Sequence, residues 1–317
     1  MDDFRRKNIA VTNNRSLLLG TVTLLVVAFF ILIALVFVFS LLSPALLGKC
    51  VAVVEIKNSL STDGVPSTIF SEGEPSSEEL ANTIYSLNKR EDVASVLFVI
   101  NSPGGSAVAS REIYESIEKL NKPKVAYIKE VGASGGYHIA SASDYIYASP
   151  DAMTGSIGSI VMFSSLSGLF DKVGVGSYAV KSGNMKDIGS PFRNATTEEL
   201  AVLQSMVNES FYYLKTDIIK HRSSKLNTKL FEEILDGRVM SGRQAVQVGL
   251  VDKTGNKNDA LVKAAELGNL SYSDADSVRV CQIKVATGES SSLLFGFDSM
   301  LKSINNKLSG IPNLLFQ

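Results

Sequence analysis

The sequence is poor in the residues that build metal centres and disulfide frameworks. It has only two cysteines, Cys50 and Cys281, two histidines, His138 and His221, and no tryptophan. Two cysteines provide neither a zinc site nor a disulfide framework, and the sequence leaves open whether they pair with each other. The formal net charge is −1, so the overall charge indicates no nucleic-acid partner. The composition therefore predicts no metal, no cofactor and no nucleic-acid binding.

Charged residues are also missing from one long stretch near the N-terminus. None occurs between Arg15 and Lys49, and Leu24 to Leu42 is apolar except for Ser40. A helix needs about 20 apolar residues to cross a bilayer core, so residues 16–48 are predicted to form a transmembrane helix in contact with lipid. The apolar core of a cleaved signal peptide is usually much shorter, which argues against cleavage here.

Basic residues around this segment predict its orientation. Four cations precede it: Arg5, Arg6, Lys7 and Arg15. The nearest cations after it are Lys49 and Lys57, so the positive-inside rule keeps the N-terminus in the cytoplasm. We therefore expect a single-pass protein of the cell membrane, in which the chain after residue 48 lies outside the cytoplasm. The expected organisation is a cytoplasmic tail (1–15), a transmembrane helix (16–48), an extracytoplasmic domain (49–285) and an amphipathic tail (286–317).

Short apolar runs alternate with helical patterns along the rest of the chain. Each run is apolar on both faces, which is typical of a mostly parallel, buried sheet in an α/β protein built from βαβ units. Capping boxes at Ser76 with Glu79 and at Thr196 with Glu199 predict the starts of two helices. The predicted strands include Val51–Ile56, Val93–Ile100, Val125–Ile128, Asp144–Ala148 and Tyr178–Val180.

Glycines surround one serine where a predicted strand gives way to a helix. The segment reads Gly-Ala-Ser-Gly-Gly-Tyr over residues 132–137, with Ser134 at its centre. A tight strand-to-helix turn exposes the serine hydroxyl and leaves backbone N–H groups open beside it, as a nucleophile requires. In open α/β sheets, sites form at the carboxyl ends of strands, where both this segment and the glycine-rich loop 101–106 fall.

A serine nucleophile needs a base, and neither histidine is well placed to be one. His138 lies one helical turn after Ser134 and is expected to cover the flank of the nucleophile, whereas His221 lies between Lys220 and Arg222. The remaining candidates are Lys181 and Lys186, in a loop constrained by glycine and proline. A lysine acts as a base when its surroundings keep it neutral, and Ser–Lys dyads are an established arrangement.

An acyl-transfer site also needs donors for the oxyanion. The candidates are the backbone N–H groups of Gly104 or Gly105 and of Gly135, because glycine lets the backbone approach a substrate closely.

Four motifs in this order resemble the signal peptide peptidase A family, peptidase family S49, whose members are membrane-anchored serine proteases on the ClpP/crotonase fold. The resemblance covers roughly residues 51–267. Its motifs are Asn101–Gly105, Ala133–Tyr137, Met153–Gly158 and Lys181–Asp187.

The resemblance implies a role for each motif. Ser134 matches the nucleophile, Lys186 matches the general base with Lys181 as the fallback, and Ser156 matches a hydroxyl that orients the lysine. Gly104 or Gly105 and Gly135 match the oxyanion hole. The resemblance further implies a homo-oligomer with active sites completed near subunit contacts, and cleaved signal peptides as substrates.

Three other interpretations remain open from the sequence. The first is an α/β-hydrolase-type esterase that uses Ser134 with Asp217 and His221. The second is a crotonase-type acyl-CoA enzyme, which would share the fold and the oxyanion glycines. The third is a non-catalytic membrane scaffold, against which the intact Ser134 and Lys186 argue.

Overall fold

The computed structural model of the protein describes residues 23–35, 37, 48–65 and 73–285. The chain divides into two units, residues 1–49 and 50–317. In the first unit, residues 23–35 and 37 are helical and exposed. Among the described residues, no helix has the length and apolar character needed to cross a membrane. The predicted tails 1–15 and 286–317, and much of the predicted transmembrane helix 16–48, lie outside the described residues.

The second unit is an α/β domain built on an eight-stranded sheet. Its strands are β1 (Cys50–Lys57), β2 (Val93–Ser102), β3 (Lys124–Ala133), β4 (Tyr145–Ala148), β5 (Met153–Gly155), β6 (Val239–Ser241), β7 (Lys253–Thr254) and β8 (Val280–Ile283). The main path runs β6-β5-β3-β2-β1-β8, while β4 pairs with both β3 and β7. Every pairing is parallel except β5 with β6, so the predicted α/β class with a mostly parallel sheet is confirmed.

Eight α-helices are described in this domain, together with a short 3₁₀ helix at Leu87–Lys89. They are α1 (Ser77–Ser86), α2 (Ala107–Glu118), α3 (Gly135–Ser141), α4 (Ser167–Val173), α5 (Thr197–Arg222), α6 (Thr228–Glu233), α7 (Gly242–Val248) and α8 (Lys257–Leu267). Both predicted capping boxes are present, at the starts of α1 and α5.

Helices cover both faces of the sheet, which explains why its central strands are mostly apolar on both faces. In β1, Ala52 and Val54 belong to one buried cluster, which also contains residues of α1, α2 and α3. Val51 and Val53 belong to a second cluster, completed by residues of α8. Because side chains alternate along a strand, each core takes every second residue.

The two cysteines form a disulfide between Cys50, the first residue of β1, and Cys281 in the edge strand β8. The parallel register pairs Ala52 with Cys281, so the bond lies between neighbouring strands. The sequence left this pairing open because 231 positions separate the two residues. The bond fastens the last described strand of the domain to its first strand.

Residues 158–198, which we call the lysine segment, contribute no buried side chain. The predicted strand Tyr178–Val180 is wrong, because these residues have no regular structure and Tyr178 and Val180 are 94% and 105% exposed. Their β-branched and aromatic character predicted a strand, but none of the described strands pairs with them. Within this segment, α4 is the only complete α-helix among the described residues, and it too has no buried side chain.

Candidate active site

Ser134 lies in a strained turn between β3 and α3. Its backbone angles are φ 54° and ψ −123°, a combination that non-glycine residues rarely adopt. The Ser134 N–H donates to the carbonyl of Gly155 over 2.8 Å, which fixes the turn against the end of β5. A Cβ at Gly136 would lie 2.4 Å from the carbonyl oxygen of Ser102, so only glycine fits there. No described residue hydrogen-bonds to the Ser134 hydroxyl, which leaves it available.

The glycine-rich loop after β2 lies directly against this turn. Leu60 donates its N–H to the Gly104 carbonyl over 2.8 Å, and Ser106 donates to the Leu60 carbonyl over 2.8 Å. The Gly104 N–H is engaged by the Ser102 hydroxyl at 3.2 Å. The N–H groups of Gly105 and Gly135 have no acceptor among the described residues. These two donors are therefore open, whereas the donor of Gly104 is already used.

Gly104 permits the close approach of the two loops. Its φ is +99°, and a Cβ there would lie 2.7 Å from Gly135 N and 3.0 Å from Ser134 Cβ. We expect Gly104→Ala to lower, by about 10²-fold, kcat/KM of the peptide hydrolysis that the family resemblance implies, because the added methyl displaces an oxyanion donor. We also expect it to lower the free energy of unfolding by about 1–2 kcal/mol, because the left-handed backbone is strained for alanine.

Steady-state kinetics and denaturant unfolding would measure the two effects of Gly104→Ala. Gly168→Ala is the matched control, since Gly168 lies in α4 with open space where its Cβ would be. Wild-type kinetics in Gly104→Ala would contradict the close approach described above.

Ser156 follows β5, whose register places it next to the nucleophile turn. Ala133 pairs with Gly155, so Ser134 and Ser156 are the next residues along neighbouring parallel strands. Ser156 also has a positive φ, 51°, and its N–H donates to the carbonyl of Arg238 over 2.9 Å. Its side chain is half-buried, and no described residue hydrogen-bonds to its hydroxyl.

A cavity of about 460 Å³ opens beside Ser134, Gly105 and Gly135. One wall is apolar and is formed by Ile160, Val161, Met206, Val207 and Leu214. Neither predicted lysine lines this cavity. The described part of one chain therefore brings together the serine, the oxyanion glycines and Ser156, but not the lysine.

The two candidate lysines differ in their surroundings. Lys181 Nζ donates to Asp187 Oδ1 over 2.5 Å and to the carbonyl of Asn184 over 3.0 Å. Hydrogen bonds from Arg193 and Lys181 hold the pKa of Asp187 well below its usual value, so Asp187 stays charged. Lys186 is exposed, and its ammonium group contacts no carboxylate among the described residues. Lys181 is thus held in an ion pair, while Lys186 is available.

At the wall of the cavity, the structure contains a hydrogen-bonded serine, histidine and aspartate that the sequence did not reveal. Ser110 Oγ lies 2.8 Å from His138 Nδ1, and His138 Nε2 lies 3.0 Å from Asp217 Oδ2. The ring of Tyr114 stacks on His138 with the ring centroids 4.4 Å apart. Ser110 and His138 are buried. Because Ser110 lies on α2, His138 on α3 and Asp217 on α5, their two hydrogen bonds connect the three helices.

This arrangement excludes both histidines as the base for Ser134 in this conformation. His138 Nδ1 faces Ser110 and not Ser134. His221 Nε2 lies 2.9 Å from the Tyr114 hydroxyl and 3.0 Å from Glu118 Oε1, and His221 does not line the cavity. The predicted triad of Ser134, Asp217 and His221 is therefore wrong. Asp217 pairs with His138 and not with His221, which lies one helical turn further along α5.

Burial lowers the pKa of His138 below its usual 6.5, although Asp217 opposes this shift. The unfolded chain therefore takes up this proton at a higher pH than the folded chain does. We expect the free energy of unfolding to fall as the pH is lowered below 6.5. His138→Gln should flatten this dependence, as measured by denaturant unfolding over the same range. The control His221→Gln should keep it, and equal slopes in both variants would contradict the assignment.

The sequence is similar to two peptidase families and to several known proteases. Residues 116–271 match peptidase family S49, and residues 66–154 match the Clp protease family. A putative protease of Methanocaldococcus jannaschii is 37% identical over 227 residues, covering 71% of this chain and 72% of that protein. A putative signal peptide peptidase SppA of Enterococcus faecium is 35% identical over 207 residues, covering 64% and 60%. Protease 4 of Haemophilus influenzae is 31% identical over 222 residues, covering 68% of this chain but 35% of its own length.

The ClpP-like α/β sheet, the serine in its strained turn and these relatives together define a serine-type peptidase. Within that class, the chain belongs to peptidase family S49. The family and the type of enzyme expected from the sequence motifs are thereby confirmed.

Proposed function

We propose that this protein is a membrane-bound serine endopeptidase that degrades remnant signal peptides through a Ser134–Lys186 dyad. The observation that carries the proposal is the strained Ser134 turn, which has an unengaged hydroxyl and two open backbone donors beside a cavity. Ser134 is the nucleophile, and the N–H groups of Gly105 and Gly135 bind the oxyanion. Gly104 allows the two loops to meet.

The reaction proceeds through an acyl-enzyme. Neutral Lys186 takes the proton of the Ser134 hydroxyl as its oxygen attacks the peptide carbonyl. The oxyanion accepts hydrogen bonds from the two glycine N–H groups until the C–N bond breaks, and the lysine returns the proton to the leaving amine. Water then attacks the ester, with the lysine again acting as the base. Ser156, which follows β5 beside the Ser134 turn, orients the lysine through a hydrogen bond with its hydroxyl.

The lysine of each site comes from a neighbouring copy of the chain in a homo-oligomer. Two observations support this proposal: Lys186 does not line the cavity of its own chain, and the lysine segment exposes large apolar side chains. Among them are Ile160, Met162, Leu169, Val173, Tyr178 and Val180. A contiguous exposed apolar surface is typical of a subunit contact. Such a contact would also bury Lys186 and favour its neutral form.

Residues 16–48 anchor the protein in the cell membrane, with residues 1–15 in the cytoplasm and the peptidase domain 49–285 outside. The disulfide between Cys50 and Cys281 supports this orientation, because disulfides persist mainly in oxidising compartments outside the cytoplasm. An anchored site with an apolar cavity wall suits short apolar peptides that remain at the bilayer, such as cleaved signal peptides.

Substrate preference tests this proposal. The full chain in detergent micelles should hydrolyse synthetic peptides with a signal-peptide apolar core about tenfold or more faster, in kcat/KM, than scrambled peptides in which polar residues interrupt that core. The apolar cavity wall is the physical reason for this preference. Equal rates for the two peptide sets would contradict the substrate class and leave the peptidase activity itself in place.

A further inference from the structure

One cation lines the cavity beside Ser134, and the proposed mechanism does not use it. Arg111 on α2 contributes to the cavity wall, and none of the described residues that line this cavity is an aspartate or a glutamate. Asp217, which pairs with Arg111, is not part of the lining. A substrate in the cavity therefore meets one positive charge and no negative charge.

The Arg111 guanidinium is held in place from two sides. Its Nη2 lies 2.9 Å from Asp217 Oδ2, and its central carbon lies 5.8 Å from the centre of the Tyr213 ring. The Arg111 side chain is 37% exposed, whereas that of Asp217 is 15% exposed. The same Oδ2 atom lies 3.0 Å from His138, so the charge of Asp217 is shared between two partners. The cation is thus oriented before any ligand binds.

Arg111 retains donors for a ligand. A guanidinium has five N–H groups in a planar fork, and the contact with Asp217 involves only Nη2. No other described residue accepts a hydrogen bond from Arg111. Ile160, Met206 and Leu214 line the same cavity and offer apolar contacts to the rest of a bound peptide. A planar carboxylate is the group that matches this fork geometry.

We propose that Arg111 makes this cavity a carboxylate-binding subsite that selects peptides carrying a negative charge near the cleaved bond. This inference rests on the proposed function, which places the peptide substrate in the cavity beside Ser134. The carboxylate has two chemical sources: the C-terminus of a peptide already released by another peptidase, or an aspartate or glutamate side chain. The first source places the enzyme after a reaction that cuts a peptide bond and leaves a new carboxyl terminus.

Peptide binding to the inactive variant Ser134→Ala tests the subsite, because this variant does not cleave the bound peptide. Fluorescence anisotropy would compare two pairs of short apolar peptides: one pair ends in a free acid or an amide, and the other carries an internal Asp or Asn. We expect the carboxylate form of at least one pair to bind about tenfold more tightly than its neutral partner. Arg111→Gln should abolish that preference. Arg111→Lys should keep part of it, because it retains the charge without the fork.

The control is Arg243→Gln, which removes an exposed arginine paired with Asp151 and should leave the preference unchanged. If Arg111→Gln loses the preference only between the free-acid and amide peptides, the subsite binds a C-terminal carboxylate. If it loses the preference only between the Asp and Asn peptides, the subsite binds a side-chain carboxylate. Equal binding of both forms, or a preference that survives Arg111→Gln, would overturn the proposal. Failure of the proposed function gives a different result: Ser134→Ala would still hydrolyse the peptides.

Discussion

Ser134→Ala should reduce peptide hydrolysis at least about 10³-fold and abolish labelling by a fluorophosphonate probe. The effect is this large because an alanine methyl group cannot form the acyl-enzyme, while the cavity and the oxyanion donors persist. The turn itself should survive the change, since its φ of 54° is held by the hydrogen bond from Ser134 N–H to the Gly155 carbonyl.

The control for this variant is Ser210→Ala. Ser210 lines the same cavity and accepts a hydrogen bond from Ser159 over 3.0 Å, and no step of the proposed reaction uses its hydroxyl. It should keep activity within about threefold of wild type, because surface hydroxyls of this kind contribute little. Labelling that persists in Ser134→Ala would move the nucleophile to another residue, and Ser110 beside His138 would be the first to examine.

Lys186→Ala should cause a loss as large as that of Ser134→Ala, whereas Lys181→Ala should cost less than about tenfold. The difference follows from their surroundings, because Lys181 is held by Asp187 and the Asn184 carbonyl, while the ammonium group of Lys186 has no such partner among the described residues. Lys186→Arg should also be inactive, since a guanidinium does not give up its proton in a protein. Steady-state kinetics over pH 6 to 9 would show wild-type activity rising with pH.

The opposite result for the two lysines is equally informative. A dead Lys181→Ala variant beside an active Lys186→Ala variant would make Lys181 the base. It would also mean that the ion pair with Asp187 opens when the oligomer or the substrate is present. A flat pH profile would contradict a lysine base altogether.

The fold was predictable where local patterns and tertiary structure agree. The strands Val51–Ile56 and Val93–Ile100 are apolar on both faces because helices cover both sides of the sheet. The helix starts at Ser76 and Thr196 follow from capping boxes that satisfy their own N–H groups locally. The Ser134 turn was equally visible, since its glycines are required within a few residues of sequence.

What the sequence did not reveal depends on contacts between distant residues or between chains. His138 and Asp217 are 79 positions apart in the sequence, and no local motif predicts their hydrogen bond. The pairing of Cys50 with Cys281 was left open for the same reason. The predicted strand Tyr178–Val180 failed differently: its residues are apolar and β-branched or aromatic, but the chain does not use them in its own core. Their exposure is consistent with the proposal that a second copy covers them.

The most direct test of the account is to combine two inactive chains. Ser134→Ala and Lys186→Ala, carrying different affinity tags, would be co-expressed and purified through both tags, and peptide hydrolysis would be measured. If the lysine acts on the serine of a neighbouring copy, about a quarter of the sites in a random mixture pair an intact serine with an intact lysine, so about a quarter of wild-type activity should return. If the mixed oligomers stay as inactive as either variant alone, the proposal that two copies complete each site is contradicted.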